Sequence, residues 1–357
     1  MENTLSNKPV DTEPTNSTKT AHSLPQPSTL WRTLPAVAGK DHYGYGRCPA
    51  FWFTLNCPYN YLYEIHRFQG NTACLHPTHK DSKAARFDWA LNNPDIVCIL
   101  HAIRVELLVR MVMPAILPHT ATNPFQYWAR FEEGYNGNPH AHGIAYADRN
   151  PEFENVMPDE DVAHGTPTNA DMTPWSVMEQ EVTDYFQNYE TENHPALDES
   201  GEPLYDFVIE NLLDPRFAKP QTINLKDVLD RAFSTAEPNL ADVKRLLIAL
   251  IEDGQRHTFH GCEPPTRNMP CARKKPHSHN PTDVYCRYLY PRDTSLWDTP
   301  EAAGKGFVRE DPYRKGLFNL LLPRNDPLLN NFETHLLLAN LGNIDWRPLL
   351  NIWSVLE

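Results

Sequence analysis

The sequence predicts an α+β fold: a central, mainly antiparallel sheet flanked by helices, with histidines on a central strand. Three observations predict it. Short aromatic or alternating runs at Phe51–Asn56, 125–133 and 140–146 have strand character, while longer segments near 94–113 and 239–253 repeat with helical spacing. The second and third strand runs are separated by Asn136-Gly137-Asn138-Pro139, a turn that folds them into a hairpin. The chain has 357 residues of which 40% are hydrophobic, enough for one large core.

The elements follow in order. Residues 1–45 are rich in Thr, Ser, Asn and Pro without a hydrophobic period, and read as a disordered leader. Phe51-Trp52-Phe53-Thr54-Leu55-Asn56 is a buried strand stopped by Cys57-Pro58, with its aromatics expected in the core. Asn93-Pro94-Asp95 opens a helix, because Pro fits the first turn and Asp favours the positive end. Its apolar positions are Ile96, Val97, Leu100, Ile103, Leu107, Leu108 and Met111, and Pro114 is expected to end it. The hairpin follows. Residues 148–214 form an acidic insert containing a helix over 175–189. A further helix is expected at Asn239–Asp253, with Leu240, Val243, Leu247, Leu250 and Ile251 on one stripe. A Cys/His-rich lobe spans 255–295, and Leu317–Leu356 mixes strand and helix signals. Pro is abundant (33 against 15 Gly), in keeping with many extended connections.

Charge is unevenly placed. The net charge is −14, yet residues 148–214 hold 18 acids and one base, a net of −17 that leaves +3 on the remainder. A nucleic-acid-binding face is therefore compatible with the rest of the chain. Seven cysteines, an odd number, and a polar Met1-Glu2-Asn3-Thr4 start predict free thiols rather than a disulfide framework. No apolar run approaches the ~20 residues of a membrane span. An intracellular chain is expected, nuclear if the source is eukaryotic.

The chemistry begins with His140-Ala141-His142. Two histidines separated by one residue point the same way on a strand and can share one divalent cation. Glu132 and Glu133, across the hairpin, face opposite ways, so one of them completes the set. Two imidazoles and a carboxylate suit Mg²⁺ or Mn²⁺ with positions left open for a phosphate. A second set, His257, His260, Cys262 and Cys286, offers two nitrogens and two sulfurs for structural Zn²⁺, with Cys271, His277 and His279 as alternative ligands. Arg267, Arg273, Lys274, Lys275, Arg287 and Arg292 lie near it and suit phosphate contacts. Tyr285, Tyr288 and Tyr290 are placed to stack on unpaired bases or to be buried. No Gly-x-x-x-x-Gly-Lys-Ser/Thr loop is present, and Gly304-Lys305-Gly306 reads as a turn, so no ATP site is assigned.

In order, these blocks resemble the Rep nuclease domain of Helitron transposases, the Helitron helicase-like N-terminal domain of the HUH endonuclease superfamily. Phe51–Pro58 resembles that family's first motif and Pro139-His140-Ala141-His142 its HUH motif. His257, His260 and Cys262 with Cys286–Arg292 resemble its His/Cys block. Arg324–Pro327, Asn330-Asn331 and 343–357 resemble the segment leading to its third motif. The resemblance implies an HUH-like fold over 46–357 and metal-dependent nicking and strand transfer of single-stranded transposon DNA. The metal is held by His140, His142 and Glu132, and a helicase domain is expected as a partner. It also implies a tyrosine pair four residues apart just past Glu357; no tyrosine follows Tyr313, so the nucleophile is expected to be missing here. Tyr185 and Tyr189 have that spacing, but Asp184, Glu190 and Glu192 beside them argue against contact with DNA. The alternative is a non-catalytic single-stranded DNA-binding protein or a relic of the transposon.

Overall fold

The computed structural model describes residues 49–58, 88–133, 138–151, 156–157, 173–195, 240–257, 271–275, 278–280, 282–299, 302–310 and 318–350. The expected leader and the turn residues 134–137 lie outside them, as do His260, Cys262, Arg267 and His277.

At the centre is a four-stranded sheet. Its strands are β1 (Phe51–Asn56), β2 (Gln126–Glu133), β3 (Pro139–Tyr146) and β10 (Ile344–Pro348), ordered β10-β1-β3-β2 with every pair antiparallel. Three further strand pairs are described: β4 (Val156–Met157) with β5 (Thr173–Pro174), β6 (Ala272–Lys274) with β7 (Val284–Cys286), and β8 (Phe307–Glu310) with β9 (Phe318–Leu321). The α+β class holds, and the histidine strand is interior to the sheet.

Period-two alternation gives this sheet two faces of opposite character. One face carries Phe51, Phe53 and Leu55 of β1, Ala141 and Ala145 of β3, and Ile344 and Trp346 of β10, all buried in one core. Phe51 stacks on Trp346 with centroids 4.5 Å apart and meets Phe186 edge-on at 5.1 Å. Such pairs add about 0.5–1.5 kcal/mol each beyond their area. Gly143 sits on this face beneath Phe53: a Cβ there would lie 2.2 Å from the Phe53 ring and 2.5 Å from the Trp128 carbonyl. The glycine is what lets the ring lie flat on the strand. The opposite face carries Trp52, Thr54, Asn56, Arg130, Glu132, His140, His142, Asp345 and Arg347.

Helices cover the core face. α1 (Pro94–Leu107) runs through a π-turn at Leu108–Val112 into α2 (Met113–Ile116). The helix therefore passes Pro114, contrary to the expected stop. Widened i→i+5 bonding accommodates a residue without an N–H, and the chain turns extended at Leu117, the residue before Pro118. The buried stripe is Val97, His101, Val105, Leu108, Val109 and Met113. Of the positions expected inside, Ile96, Ile103, Leu107 and Met111 are exposed.

α4 (Leu240–Leu250) ends in a second π-turn, Ile251–Gln255, and α5 (Thr334–Asn340) packs on α4. Of the expected stripe, Leu250 and Ile251 are buried and Leu247 packs against the core, with Leu246, Ile248 and Ala249 buried beside them, whereas Leu240 is 81% exposed. Glu333 caps α5 by accepting the Leu336 N–H, and Leu341 ends it in the left-handed region at φ 59°. Asn340 then donates to the carbonyls of Asn56 and Gly342, which pins the start of β10 against β1.

The expectation of an appended acidic insert needs correction in its central part. α3 (Trp175–Phe186) sends Val182 and Phe186 into the main core. Glu192 is buried in ion pairs with Arg324 and Arg292, and His194 is buried against Glu252 at 2.8 Å. These acids serve as internal partners of arginines rather than as a solvated surface. Glu190, buried beside Glu192, accepts from the Asn331 amide; burial, with Glu192 nearby, pushes its carboxyl well above the usual range. Tyr185 gives its hydroxyl to the Asp148 carbonyl and Tyr189 packs edge-on against Phe51. Both are structural.

Candidate metal centre

The hairpin register places Glu132 directly opposite His140, and His142 opposite Arg130. Glu132, His140 and His142 thus share one face, while Glu133 shares the other face with Phe131. His140 Nε2 lies 3.6 Å and His142 Nε2 3.5 Å from the same Glu132 oxygen, Oε2. Ligand atoms each roughly 2.1 Å from one ion stand about 3.0–3.4 Å apart at octahedral or tetrahedral angles. The set is close to that spacing, and its donor types fit a hard or borderline divalent cation. The Glu132 atom Oε1 is engaged by Arg130, which leaves Oε2 for the histidines.

The far side of each ring is held as well. With Nε2 directed at the shared point, His140 Nδ1–H donates to the Asn138 carbonyl at 3.2 Å and His142 Nδ1–H to Thr54 Oγ1 at 2.9 Å. These bonds select the tautomer that presents a lone pair inward. The rings stand perpendicular with centroids 4.7 Å apart, and Trp52 lies 5.6 Å from His142. Burial lowers the His142 pKa, a shift opposed by Glu132, so the neutral ligand form is favoured near neutral pH. Trp52, expected in the core, lies on the histidine face, where it packs against the small buried cluster of Ile144, Tyr146 and Leu349 rather than with Phe51 and Phe53.

A groove of about 650 Å³ runs from this centre, between His140 and His142 at one end and His257, Arg287 and Tyr288 at the other, with Asp345 in its wall. Asp345 lies across Thr54 from His142, on β10. Asp345 and its partner Arg347, 2.9 Å away, were missed in the sequence. The alternation Ile344-Asp345-Trp346-Arg347, apolar and charged in turn, was the available signal.

Of the second ligand set, His257 and Cys286 are brought together, with the alternative ligand Cys271 beside them; His260 and Cys262 lie outside the described residues. His257 Nε2 is 3.5 Å from Cys286 Sγ, close to the edge of a tetrahedron with Zn–N near 2.0 Å and Zn–S near 2.3 Å, roughly 3.5 Å. Pairing of β6 with β7 sets Cys286 beside Ala272, next to Cys271. Burial and the neighbouring Cys286 raise the Cys271 thiol pKa, a direction that a bound dication reverses. His279 is exposed and outside the cluster.

The predicted DNA contacts divide. Arg287 lines the groove with its guanidinium over the Tyr288 ring, 4.5 Å from the centroid. Arg292 donates to Asn331 at 2.5 Å and pairs with Glu192, so its charge is answered internally. Lys275 is paired with Asp283, and Lys274 is exposed on β6; neither lines the groove. Arg273 is exposed on β6 and donates to its neighbour's carbonyl. Tyr290 is buried, stacks on His257 at 4.6 Å and gives its hydroxyl to Asn330, so it is a packing residue and no base platform. Tyr288 is 39% exposed. No helix among the described residues is long and apolar enough to cross a membrane. No family model, curated protein or solved structure matches the chain.

Proposed function

We propose that this chain is a metal-dependent single-stranded DNA nicking and strand-transfer module of the Helitron Rep type. The observation that carries the reading is the convergence of His140 Nε2 and His142 Nε2 on Glu132 Oε2, with both histidines lining an open groove. In this reading those three atoms hold Mg²⁺ or Mn²⁺, and the bound ion supplies Lewis-acid polarisation of the scissile phosphate. Asn138 and Thr54 keep the rings in register, and Arg130 orients the carboxylate. Arg287 and Tyr288 provide one cation and one exposed ring for the strand. The attacking hydroxyl forms a bond to phosphorus as the bond to the 3′ oxygen breaks. Its proton leaves with the 3′ oxygen, and the 5′ phosphate stays on the enzyme. The family's tyrosine pair has no counterpart assigned here, and in this reading Tyr288, a partly exposed tyrosine of the groove lining whose hydroxyl accepts from Arg287, takes its place.

His257, Cys271 and Cys286 hold a structural Zn²⁺ in the same reading, tying β6 and β7 to the groove rim. The partner is the single-stranded end of a transposon, with a helicase domain following on and a nuclear site of action if the source is eukaryotic. A second reading, strand binding without cutting, draws on the same groove and needs no nucleophile.

The test is an adduct assay. Labelled single-stranded oligonucleotides are incubated with the chain and Mn²⁺ and resolved on a denaturing gel, beside His140→Ala/His142→Ala and Tyr288→Phe variants. A shifted band lost in the histidine variant is expected; its loss in Tyr288→Phe as well assigns the hydroxyl. Bound but uncut DNA at every Mn²⁺ and Mg²⁺ concentration refutes nicking and leaves the binding reading.

A further inference from the structure

A second cavity, of about 460 Å³, adjoins the histidine groove and shares Arg287, Tyr288 and Arg347 with it as walls. Its lining contains five arginines (Arg287, Arg292, Arg309, Arg324, Arg347) and one acid, Asp293. Three of the five are answered: Arg324 and Arg292 by Glu192, Arg347 by Asp345. Arg287 and Arg309 are not in ion pairs among the described residues; each lies near a ring, Tyr288 at 4.5 Å and Phe307 at 5.9 Å. Arg287 has no carboxylate partner among the described residues; Arg309 lies near Asp293, whose carboxyl the Ser295 hydrogen bonds and, less, the Arg309 charge hold below the usual range, and both guanidiniums have the fork geometry that matches phosphate oxygens.

The same lining also carries aromatic and apolar side chains. Trp297 spends its indole N–H on the Lys305 carbonyl at 2.7 Å, which fixes the ring, and Leu296 sits beside it in the lining. Tyr288 closes the boundary with the groove. Cations and fixed aromatic rings in one lining are the two halves of nucleotide recognition. The volume lies within the range of about 300–1,000 Å³ typical of small-molecule sites.

We infer that this cavity seats one nucleotide, its phosphate between Arg287 and Arg309 and its base against Trp297 and Tyr288. Placing that nucleotide in the strand bound at the histidines rests on the single-strand reading above; the cavity's preference for a nucleotide does not. Arg309 lines this cavity and is absent from the groove, so it separates the two.

Binding of fluorescent (dT)8 and of dTMP is measured in EDTA for wild type, Arg309→Ala and His279→Ala, the last exposed and outside both cavities, with circular dichroism to verify folding. Arg309→Ala is expected to weaken (dT)8 five- to tenfold, to reduce the salt slope by about 0.7 for one lost phosphate contact, and to abolish dTMP binding. His279→Ala should bind both as wild type does. If Arg309→Ala weakens binding while the wild type never nicks, the cavity stands and the nuclease reading falls. If dTMP binds in an Arg309-dependent way and (dT)8 does not, the nucleotide is a free one and its place in the strand is overturned. Equal affinities of folded Arg309→Ala and wild type for both ligands overturn the cavity itself, whether or not nicking occurs.

Discussion

Replacing Thr54 with Val tests whether the sheet was built to aim His142. Thr54 Oγ1 is 2.9 Å from His142 Nδ1 and is the partner that orients the ring from the neighbouring strand. Val keeps the β-branched shape and the strand preference, so β1 and its pairing should survive. The hydroxyl is lost, and the ring's inward tautomer is no longer selected. Removing such an outer partner costs typically 10–100-fold in metal affinity, or about 1.4–2.7 kcal/mol. The unmet Nδ1–H should also cost about 1 kcal/mol of stability. Isothermal titration with Mn²⁺ measures the first quantity, and urea unfolding with EDTA present the second. Thr54→Ser keeps the oxygen and should stay within a few-fold of wild type. If Thr54→Val is folded and binds Mn²⁺ as the wild type does, the hydroxyl does not position the ring and the outer-partner argument is wrong. If Ser weakens binding as much as Val does, keeping the hydroxyl does not protect the site and the hydrogen-bond argument fails.

Two other outcomes follow from the geometry. His101 is fully buried on α1, and burial takes its pKa from 6.5 down to about 4. Its folded value is below its unfolded one, so the stability it contributes is whole above pH 6.5 and is lost as pH falls towards 4. At about 1.4 kcal/mol per tenfold change, the loss from pH 7 to 4.5 is about 2 kcal/mol; His101→Leu should remove that increment from urea-derived stabilities, and parallel pH profiles would refute it. Cys271→Ser should lower bound zinc from one equivalent to well below one by elemental analysis, while His279→Ala leaves it unchanged; the reverse pattern would show the ligand set to be wrong.

The site's core was legible because it is local. His140 and His142 sit two apart on a strand, and Glu132 lies across a short hairpin, opposite His140. The period-two rule therefore gave the shared face and left a choice of two glutamates, which register settled. The rest depends on residues distant in sequence. Asp345 and Arg347 reach the groove because β10 pairs with β1, and nothing within a window of neighbours announces that pairing. Helix faces were misjudged for a related reason. Leu240 and Ile103 have the right spacing for a stripe, but the direction of the core is set by the sheet beneath, and both point away from it. Acidic composition misled in the same manner: Glu192 looks solvated as part of a run of acids and is in fact buried between arginines from two later segments.

The pairing of β1 with β10 also sets a schedule for synthesis. Asn56 and Asn343, whose backbones join the two strands at the groove, are separated by 287 positions in the chain. At about 5–20 residues per second, translation takes about 15–60 s to cover that distance. β3 emerges early enough to cover one side of β1, and the other side stays an unpaired edge for the whole interval. Phe51 and Phe53 on that strand then lack Trp346, the ring that later stacks on one of them and the strand partner of the other. Such an edge is a template for wrong pairing between nascent chains. The groove, whose wall includes Asp345 and Arg347, takes shape only when this late strand docks, so incomplete chains carry the histidines without the finished cleft.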